Sequence, residues 1–359
     1  MHLSMVMCCQ WAFFKTSICF YLLGSSLLKL LFSAAILKTG VAELDRLLSG
    51  GLYTGEVAEI CGASLSGKTR ACLRLAAETA STGKDVLFLT SSAGWVTHAR
   101  CLADILAPRK TKNRRFDDDD DNNEDAEEES VRLRSIRPAM ERVQFVQVSH
   151  CFNLLQLLGQ TRSFLRRKHS AVDNEKAGNN DVTNNREDNN NPLFPSQFQP
   201  SLLVIDSLDS IMSPLLGGQE IPSGLSFLAS IGRELKLLAL DFHLVVLVAN
   251  HVVPTVPFAS EANQREEEED EAEAEEEVAK EAVESGDRPA MGLSWLNYPH
   301  VRVKLVTAKS GEDEGNRLKK RNMREEQSSS IMKKGGLEVY ATLLRHSRIP
   351  CGKTKLLTI

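Results

Sequence analysis

One short segment constrains the fold of this chain more than any other feature. Residues 62–69 read GASLSGKT and fit the pattern G-x-x-x-x-G-K-[ST], in which a glycine-rich turn surrounds phosphate groups. The mostly apolar residues 57–61 before it are typical of a buried strand. Residues 70–82 after it combine helix formers with an apolar stripe. The sequence therefore predicts a strand, a phosphate-binding loop and a helix in that order, with a nucleotide as ligand.

Each part of this loop has a predicted role. Backbone N–H groups of the turn and the positive end of the helix dipole face the phosphates. The Lys68 ammonium reaches the β- and γ-phosphate oxygens, and the Thr69 hydroxyl holds Mg²⁺. The predicted nucleotide-binding residues of the loop are Gly62, Ala63, Ser64, Leu65, Ser66, Gly67, Lys68 and Thr69.

A second segment supplies the acidic half of the predicted site. Residues 202–205 form a short apolar run, typical of a central parallel strand, and Asp206 follows it directly. Ligands of α/β folds bind at the carboxyl ends of such strands, so Asp206 is the predicted second Mg²⁺ ligand. Lys68 and Asp206 are thus the predicted catalytic residues. A second GKT, residues 352–354, has Ser347 where the pattern requires glycine, and it is interpreted as part of a basic tail.

Strand and helix patterns alternate along the chain. Strands are predicted at residues 57–61, 86–90, 143–148, 202–206 and 244–249, and helical periodicity covers residues 152–167 and 224–240. This order predicts an α/β domain with a mainly parallel central sheet flanked by helices. Residues 301–307 and 337–344 are predicted as further strands, antiparallel at the sheet edge.

Other segments fall outside this alternation. Residues 37–359 are predicted to form one domain, with disordered inserts at about 111–132, 170–200, 260–288 and 311–330. Residues 1–36 contain apolar runs separated by Lys29. They are interpreted as a helical leader or as a misplaced start of the coding sequence. A cleaved signal or a membrane anchor is the alternative.

The charge of the chain is divided unevenly. Residues 117–129 and 265–287 hold 23 of the 48 acidic residues and 2 of the 43 basic ones, which leaves 41 basic against 25 acidic residues elsewhere. A basic body favours binding to a polyanion through phosphate contacts, although the same charge also serves solubility. The 8 cysteines show no C-x-x-C pair, which predicts reduced core residues of an intracellular protein and no zinc site.

Several motifs together resemble those of a known family. Residues 37–45 (LKTGVAELD), 47–51 (LLSGG) and 54–56 (TGE), followed by the phosphate loop, resemble the opening of the RecA/RadA recombinase core. The same resemblance continues at residues 202–207, 213–219 (SPLLGGQ), 233–236 (RELK), 248–251 (VANH) and 294–295, up to about residue 309 and in the last strands. The set looks most like the D-type paralogues of eukaryotes.

This resemblance implies a RecA-like P-loop NTPase core that uses ATP and Mg²⁺. It implies a nuclear subunit of a complex that acts in homologous recombination and double-strand break repair, with DNA-dependent ATPase activity. The implied partners are other recombinase paralogues, bound through the ATPase core, and single-stranded DNA, with no membrane and no small-molecule substrate beyond ATP. Asn250 or His251 takes the place of the residue that senses the γ-phosphate. The loops after Ile211 and after His251 face DNA.

The chain also departs from the family pattern. RecA-type hydrolases place a glutamate that orients the attacking water just after the strand that follows the phosphate loop, whereas residues 90–94 here read TSSAG. We therefore expect slow hydrolysis unless a neighbouring subunit contributes a group. The acidic residues 265–287 fall in the second DNA-facing loop, either as a nucleic-acid mimic or, as we favour, as an inert solvated insertion. The helical domain that precedes the core in relatives is not expected here.

Two alternatives belong to other functional classes. The missing glutamate favours a non-enzymatic scaffold in which the nucleotide only stabilises the fold and a partner interface. A small-molecule P-loop kinase is the other alternative, and the lead-in at residues 39–51 (TGVAELDRLLSGG) argues against it.

Overall fold

The structure is a computed structural model that describes residues 35–107, 122–176, 194–216, 221–254, 287–307, 338–348 and 351–358. The strands are β1 (Ile36–Leu37), β2 (Leu52–Tyr53), β3 (Val57–Gly62), β4 (Asp85–Thr90), β5 (Val143–Gln147), β6 (Pro200–Asp206), β7 (Val245–Pro254), β8 (Asp287–Pro289), β9 (Val301–Thr307), β10 (Glu338–His346) and β11 (Thr354–Thr358). The α-helices are α1 (Ala42–Leu47), α2 (Lys68–Ser81), α3 (Trp95–Leu106), α4 (Asn122–Met140), α5 (Cys151–Lys176), α6 (Leu208–Leu216) and α7 (Ile221–Phe242). A 3₁₀ helix covers Leu293–Asn297.

The strands build the mainly parallel sheet that the sequence predicts. The order within it is β11-β10-β9-β3-β7-β6-β4-β5, and β8 pairs with the end of β7. All neighbours from β9 to β5 run parallel, with β3 near the middle of the sheet. The fold class is therefore confirmed as α/β with helices on both faces.

Alternate residues of each strand serve two separate cores. In β4, Val86 and Phe88 pack on one face of the sheet, while Leu87 and Leu89 pack on the other. The first face is covered by α1, α2 and α3 with the end of α4, and the second by α5, α6, α7 and the 3₁₀ helix. Burial on both faces explains why the central strands are nearly continuous apolar runs.

Two predictions about the end of the chain were wrong. Strand β9 is parallel to β3, not antiparallel, because Val301, Val303 and Leu305 are buried and make it an interior strand. The segment interpreted as a basic tail leads into β11, which pairs antiparallel with β10. Leu357 of β11 is fully buried, and Lys355 lies on this edge strand, where lysine is common.

Two predicted inserts were drawn too wide. Residues 122–132 are helical in α4, because Arg132 donates hydrogen bonds to the carbonyl oxygens of Ala103 and Ala107 and fixes α4 against α3. Helix α5 continues to Lys176, and Phe194 stacks on Phe164 with ring centroids 5.0 Å apart. Residues 195–200 and 287–288, at the ends of two predicted inserts, are also described, and the remaining parts of the inserts lie outside the described residues. Residues 1–34 of the predicted leader do so as well.

The helices were also compared with the length of a membrane span. None of those in the described ranges is both long and apolar enough to cross a bilayer.

Two helical glycines provide a matched test of this packing. A Cβ at Gly232 of α7 would lie 2.3 Å from the ring of Tyr298, whereas a Cβ at Gly159 of α5 would meet no atom within 4 Å. We expect Gly232→Ala to lower the free energy of unfolding by about 1–3 kcal/mol through overpacking. Gly159→Ala should raise it by about 0.5–1 kcal/mol, since alanine loses less entropy in a helix. Urea unfolding of both variants checks this, and equal shifts would contradict the packing.

Candidate nucleotide-binding site

The predicted phosphate loop joins the end of β3 to the start of α2 in a tight turn. A Cβ at Gly62 would lie 2.4 Å from the carbonyl oxygen of Leu305 and 2.6 Å from Ser66 Oγ, so only glycine fits there. Gly67 has φ 90° and Leu65 has φ 63°, both in the left-handed region. The side chain of Leu65 is 89% exposed at the tip of the loop. The loop is thus short, close to β9 and shaped by its backbone.

Lys68 and the N-terminus of α2 make the electrostatic potential at this loop positive. The buried Lys68 side chain lies across the loop, and its Nζ donates to the carbonyl oxygens of Gly62 at 2.8 Å and Ala63 at 2.7 Å. No side chain caps α2, and its first turn has no acidic residue, so its N–H groups are available to an anion. Burial lowers the pKa of Lys68, while Asp209 and then Asp206 raise it.

Asp206 lies beside Thr69 at the carboxyl end of β6. The Thr69 hydroxyl donates a hydrogen bond to the buried carboxylate, and His98 Nε2 is 4.0 Å from Asp206 Oδ2. Burial raises the pKa of Asp206, whereas Thr69, His98 and Lys68 lower it. The structure therefore brings the two predicted Mg²⁺ ligands together with Lys68.

The residues after β4 brace this site without adding a carboxylate to it. The Ser91 N–H donates to the carbonyl oxygen of Asp206 at 2.9 Å, and the Ser207 N–H donates to Ser91 Oγ at 3.3 Å. The peptide bond between Asp206 and Ser207 is cis. Residues 90–94 thus hold the end of β6 at the place where the family pattern has its glutamate.

Two further residues of the site were missed by the sequence analysis. His98 comes from α3, and nothing in its local sequence distinguishes it. Asp209 lies in the first turn of α6, three residues after Asp206, and this spacing was a signal that could have been used. Asp209 Oδ2 is 2.6 Å from His251 Nδ1, which adds a carboxylate and an imidazole to the site.

The two candidates for the γ-phosphate sensor have different surroundings. Asn250 is buried, its Nδ2 donates to Glu59 Oε1 at 2.7 Å, and its Oδ1 accepts from the Asp209 N–H at 3.2 Å. Both ends of its amide are thus engaged within the protein. His251 is half-exposed, and its Cα is the register partner of Gly62 at the start of the phosphate loop. Of the two, His251 is the more exposed residue and lies beside the start of the phosphate loop.

Glu59 lies below the site as a fully buried carboxylate. Besides the bond from Asn250, it accepts hydrogen bonds from Trp295 Nε1 at 2.9 Å and from Arg302 Nε at 2.5 Å. Burial of an ion is costly unless a partner neutralises it, and Arg302 provides that charge. The network joins β3, β7, β9 and the 3₁₀ helix.

These residues fit a nucleotide with Mg²⁺. Within the described ranges, buried polar atoms of the site that have no hydrogen-bond partner include Ser66 Oγ, His98 Nδ1 and Asp209 Oδ1. Carboxylate and hydroxyl oxygens suit Mg²⁺, and N–H groups suit phosphate. The described residues contain no group of three or more His, Cys, Asp or Glu that could hold a metal alone. Phosphate oxygens and water are the ligands that would complete the coordination of a cation here.

Comparison with known proteins finds similarity to Rad51 and to two DNA repair proteins. The Rad51 family model matches residues 33–86, which contain the phosphate loop with β3 and α2. The chain is 30% identical over 279 residues to the DNA repair protein RAD51 homolog 4 of Bos taurus, and the match covers 77% of this chain and 63% of the relative. It is 32% identical over 281 residues to RAD51 homolog 4 of Mus musculus, with 78% and 63% covered.

The chain therefore resembles Rad51-type DNA repair proteins over most of its own length. It spans less than two thirds of the length of the two relatives, since 63% of each is covered. The Rad51 match includes Lys68 and Thr69 but ends before His98, Asp206 and His251, so those residues depend on the structure for their place in the site.

The buried Cys61, just before the phosphate loop, gives a chemical test of the packing around the site. Burial raises the pKa of Cys61 to about 12, so at pH 8 it stays a thiol and does not react as a thiolate. Cys101 and Cys351 are exposed. We expect iodoacetamide to modify Cys101 and Cys351 in the native protein and Cys61 only in urea. Peptide mapping by mass spectrometry measures this, and native labelling of Cys61 at the rate of Cys351 would be contrary evidence.

The structural role of the Asn250 side chain can be tested by replacing it with alanine. Asn250→Ala removes a donor to buried Glu59 and the acceptor of the Asp209 N–H. We expect the free energy of unfolding to fall by about 1–3 kcal/mol, because polar groups are left unpaired. The control is Asn297→Ala at an exposed position, which should change stability by less than about 0.5 kcal/mol. Urea unfolding measures the free energy of unfolding of both variants. Equal small effects would argue against a stabilising role for the Asn250 hydrogen bonds.

Proposed function

We propose that this protein is an ATP-binding, DNA-binding subunit, with weak DNA-dependent ATPase activity, of a recombinase-paralogue complex that acts in homologous recombination and double-strand break repair. The observation that carries the proposal is the convergence of Lys68, Thr69 and Asp206 at the end of the parallel sheet, within a chain that resembles Rad51-type DNA repair proteins. Both relatives are DNA repair proteins, which supports a role in this process. A nuclear location follows from that process.

The residues divide the work of holding the nucleotide. The N–H groups of residues 62–69 and the Lys68 ammonium bind the phosphates, and Thr69 with Asp206 holds Mg²⁺. When bound, Mg²⁺ neutralises the phosphate charge. The Lys68 ammonium lies at the carbonyl oxygens of Gly62 and Ala63 and exchanges those contacts for phosphate oxygens. Lys68 thus binds the anion at low cost, because its charge is already partly desolvated.

The DNA-binding part of the proposal rests on charge and on the relatives. The body of the chain outside the acidic runs carries 41 basic against 25 acidic residues, which favours phosphate contacts. Helix α6 runs on to Leu216, so the first DNA-facing loop begins later than Ile211, contrary to the sequence prediction. Strand β7 runs to Pro254, so the second DNA-facing loop begins after that residue. Residues 217–220 and 255–286 lie outside the described part.

The alternative is a scaffold that binds nucleotide without hydrolysing it. The observation that favours it is the loop at residues 90–94, which braces Asp206 and contains no carboxylate. In that case the nucleotide orders the site for contact with other recombinase paralogues through the ATPase core, and the rate of hydrolysis has no role.

Binding and turnover together test the proposal. A fluorescent ATP analogue titrated in Mg²⁺ buffer should bind the native chain. Lys68→Ala should raise Kd about 10- to 100-fold through the loss of a charge-assisted contact. Lys84→Ala, in the turn after α2, is the matched control and should bind as the native chain does. Absence of binding by the native chain would refute the proposal.

Single-turnover hydrolysis then separates the two candidates. With single-stranded DNA the native chain should hydrolyse ATP slowly but faster than Lys68→Ala. A rate equal to that of Lys68→Ala selects the scaffold. Purification of the native chain and of Lys68→Ala from cells, with identification of the chains that accompany them, tests the paralogue complex. If recombinase paralogues accompany neither, that part of the proposal is wrong.

A further inference from the structure

The structure places a carboxylate and an imidazole in contact beside the phosphate loop. Asp209 Oδ2 and His251 Nδ1 are 2.6 Å apart, and the two side chains are 12% and 36% exposed. An ionised carboxylate can only accept a hydrogen bond, so the ring donates through Nδ1–H. This leaves the lone pair on Nε2 of a half-exposed ring.

The surroundings of the pair put it at the phosphate end of the site. The charge of Asp209 acts on the Lys68 ammonium more strongly than that of Asp206 does. His251 is the register partner of Gly62, where the loop begins. The Asn250 amide accepts the Asp209 N–H and ties the start of α6 to β7. Both partners are therefore held by regular elements, as a positioned group requires.

The other described groups near Lys68 have different surroundings. Asp206 accepts the Thr69 hydroxyl, and His98 Nε2 faces Asp206. Residues 90–94, where a water-orienting carboxylate is expected, contribute hydroxyl and backbone groups alone. Among the described side chains beside Lys68, the Asp209–His251 pair is the one in which a carboxylate and an imidazole are within hydrogen-bond distance, since His98 Nε2 lies 4.0 Å from Asp206 Oδ2.

We propose that His251 accepts the proton of the attacking water during ATP hydrolysis and that Asp209 is the residue that positions it. The pair thereby replaces the glutamate that is missing after β4. This inference rests on the proposed function, since it requires ATP in the site.

The chemical step balances without another reactant. The oxygen of water attacks the γ-phosphorus, and the bond from that phosphorus to the oxygen shared with the β-phosphate breaks. ADP leaves with the electron pair of that bond. The proton of water passes to Nε2, and the resulting imidazolium is stabilised by the Asp209 carboxylate, as in other acid-oriented histidines. The half-exposed ring then releases the proton to solvent.

Two substitutions of His251 separate proton transfer from phosphate sensing. Glutamine keeps a hydrogen-bonding side chain but cannot take a proton at neutral pH. Single-turnover hydrolysis by the full chain, with single-stranded DNA, should fall about 100-fold in His251→Gln, while Kd for the ATP analogue stays within about twofold. In His251→Ala, added imidazole should restore part of the rate, since the native ring is half-exposed and its place is open to solvent.

Asp209 acts through His251, and a double-mutant cycle shows this. Asp209→Asn should lower the rate at least about tenfold, because the amide favours the wrong tautomer. The His251→Gln, Asp209→Asn double variant should be no slower than His251→Gln alone, since the two residues act as one unit. Asp241→Asn, an exposed carboxylate change on α7, is the control and should leave the rate unchanged.

The outcomes distinguish this inference from the proposed function. Native-like hydrolysis by His251→Gln overturns the inference and leaves ATP binding and turnover in place. Loss of ATP binding or of its Mg²⁺ dependence in Asp209→Asn also overturns it, because Asp209 then acts as a metal ligand. Additive effects in the double variant, or no rescue by imidazole, count against it as well. A native chain that binds ATP but hydrolyses no faster than Lys68→Ala refutes the inference and selects the scaffold, while ATP binding stands.

Discussion

A buried ion pair between Glu59 and Arg302 determines how the centre of the sheet is arranged. Glu59 is 1% exposed, and a carboxylate in that position is tolerated because Arg302, Trp295 and Asn250 all donate to it. These partners come from β9, the 3₁₀ helix and β7. A single charge therefore ties together the strands on both sides of β3, and the phosphate loop begins three residues further on.

The sequence predicted the elements whose signals are local. The GASLSGKT motif and the apolar runs at β3, β4, β6 and β7 are contiguous, so pattern and spacing located them. The direction of β9 and the existence of β11 depend on pairing between distant segments. The periodicity of apolar residues is a local signal and contains no information about such pairing. Arg132 anchors α4 through contacts more than twenty residues away in the chain, and for that reason an acidic, helix-forming segment was assigned to an insert.

The same difference applies to the site. Lys68, Thr69 and Asp206 belong to motifs and could be named in advance. Asp209 could have been noticed from its spacing, but its contact with His251 spans 42 positions and is set by the way α6 starts beside β7. Asn250 and His251 are adjacent in sequence yet point to different roles, because alternate residues of a strand face opposite sides. One amide lies inside, and the neighbouring ring is half-exposed.

Strand β11, near the end of the chain, protects the edge of the sheet. It covers the outer edge of β10, and the N–H groups of Leu343 and Gly352 form backbone bonds across the turn that joins the two strands. Without it, β10 would present unpaired N–H and C=O groups next to the fully buried Val339 and Leu343. Such an edge is a template for pairing between molecules. Loss of the last few residues would therefore lower the solubility of the protein before it affected the nucleotide site.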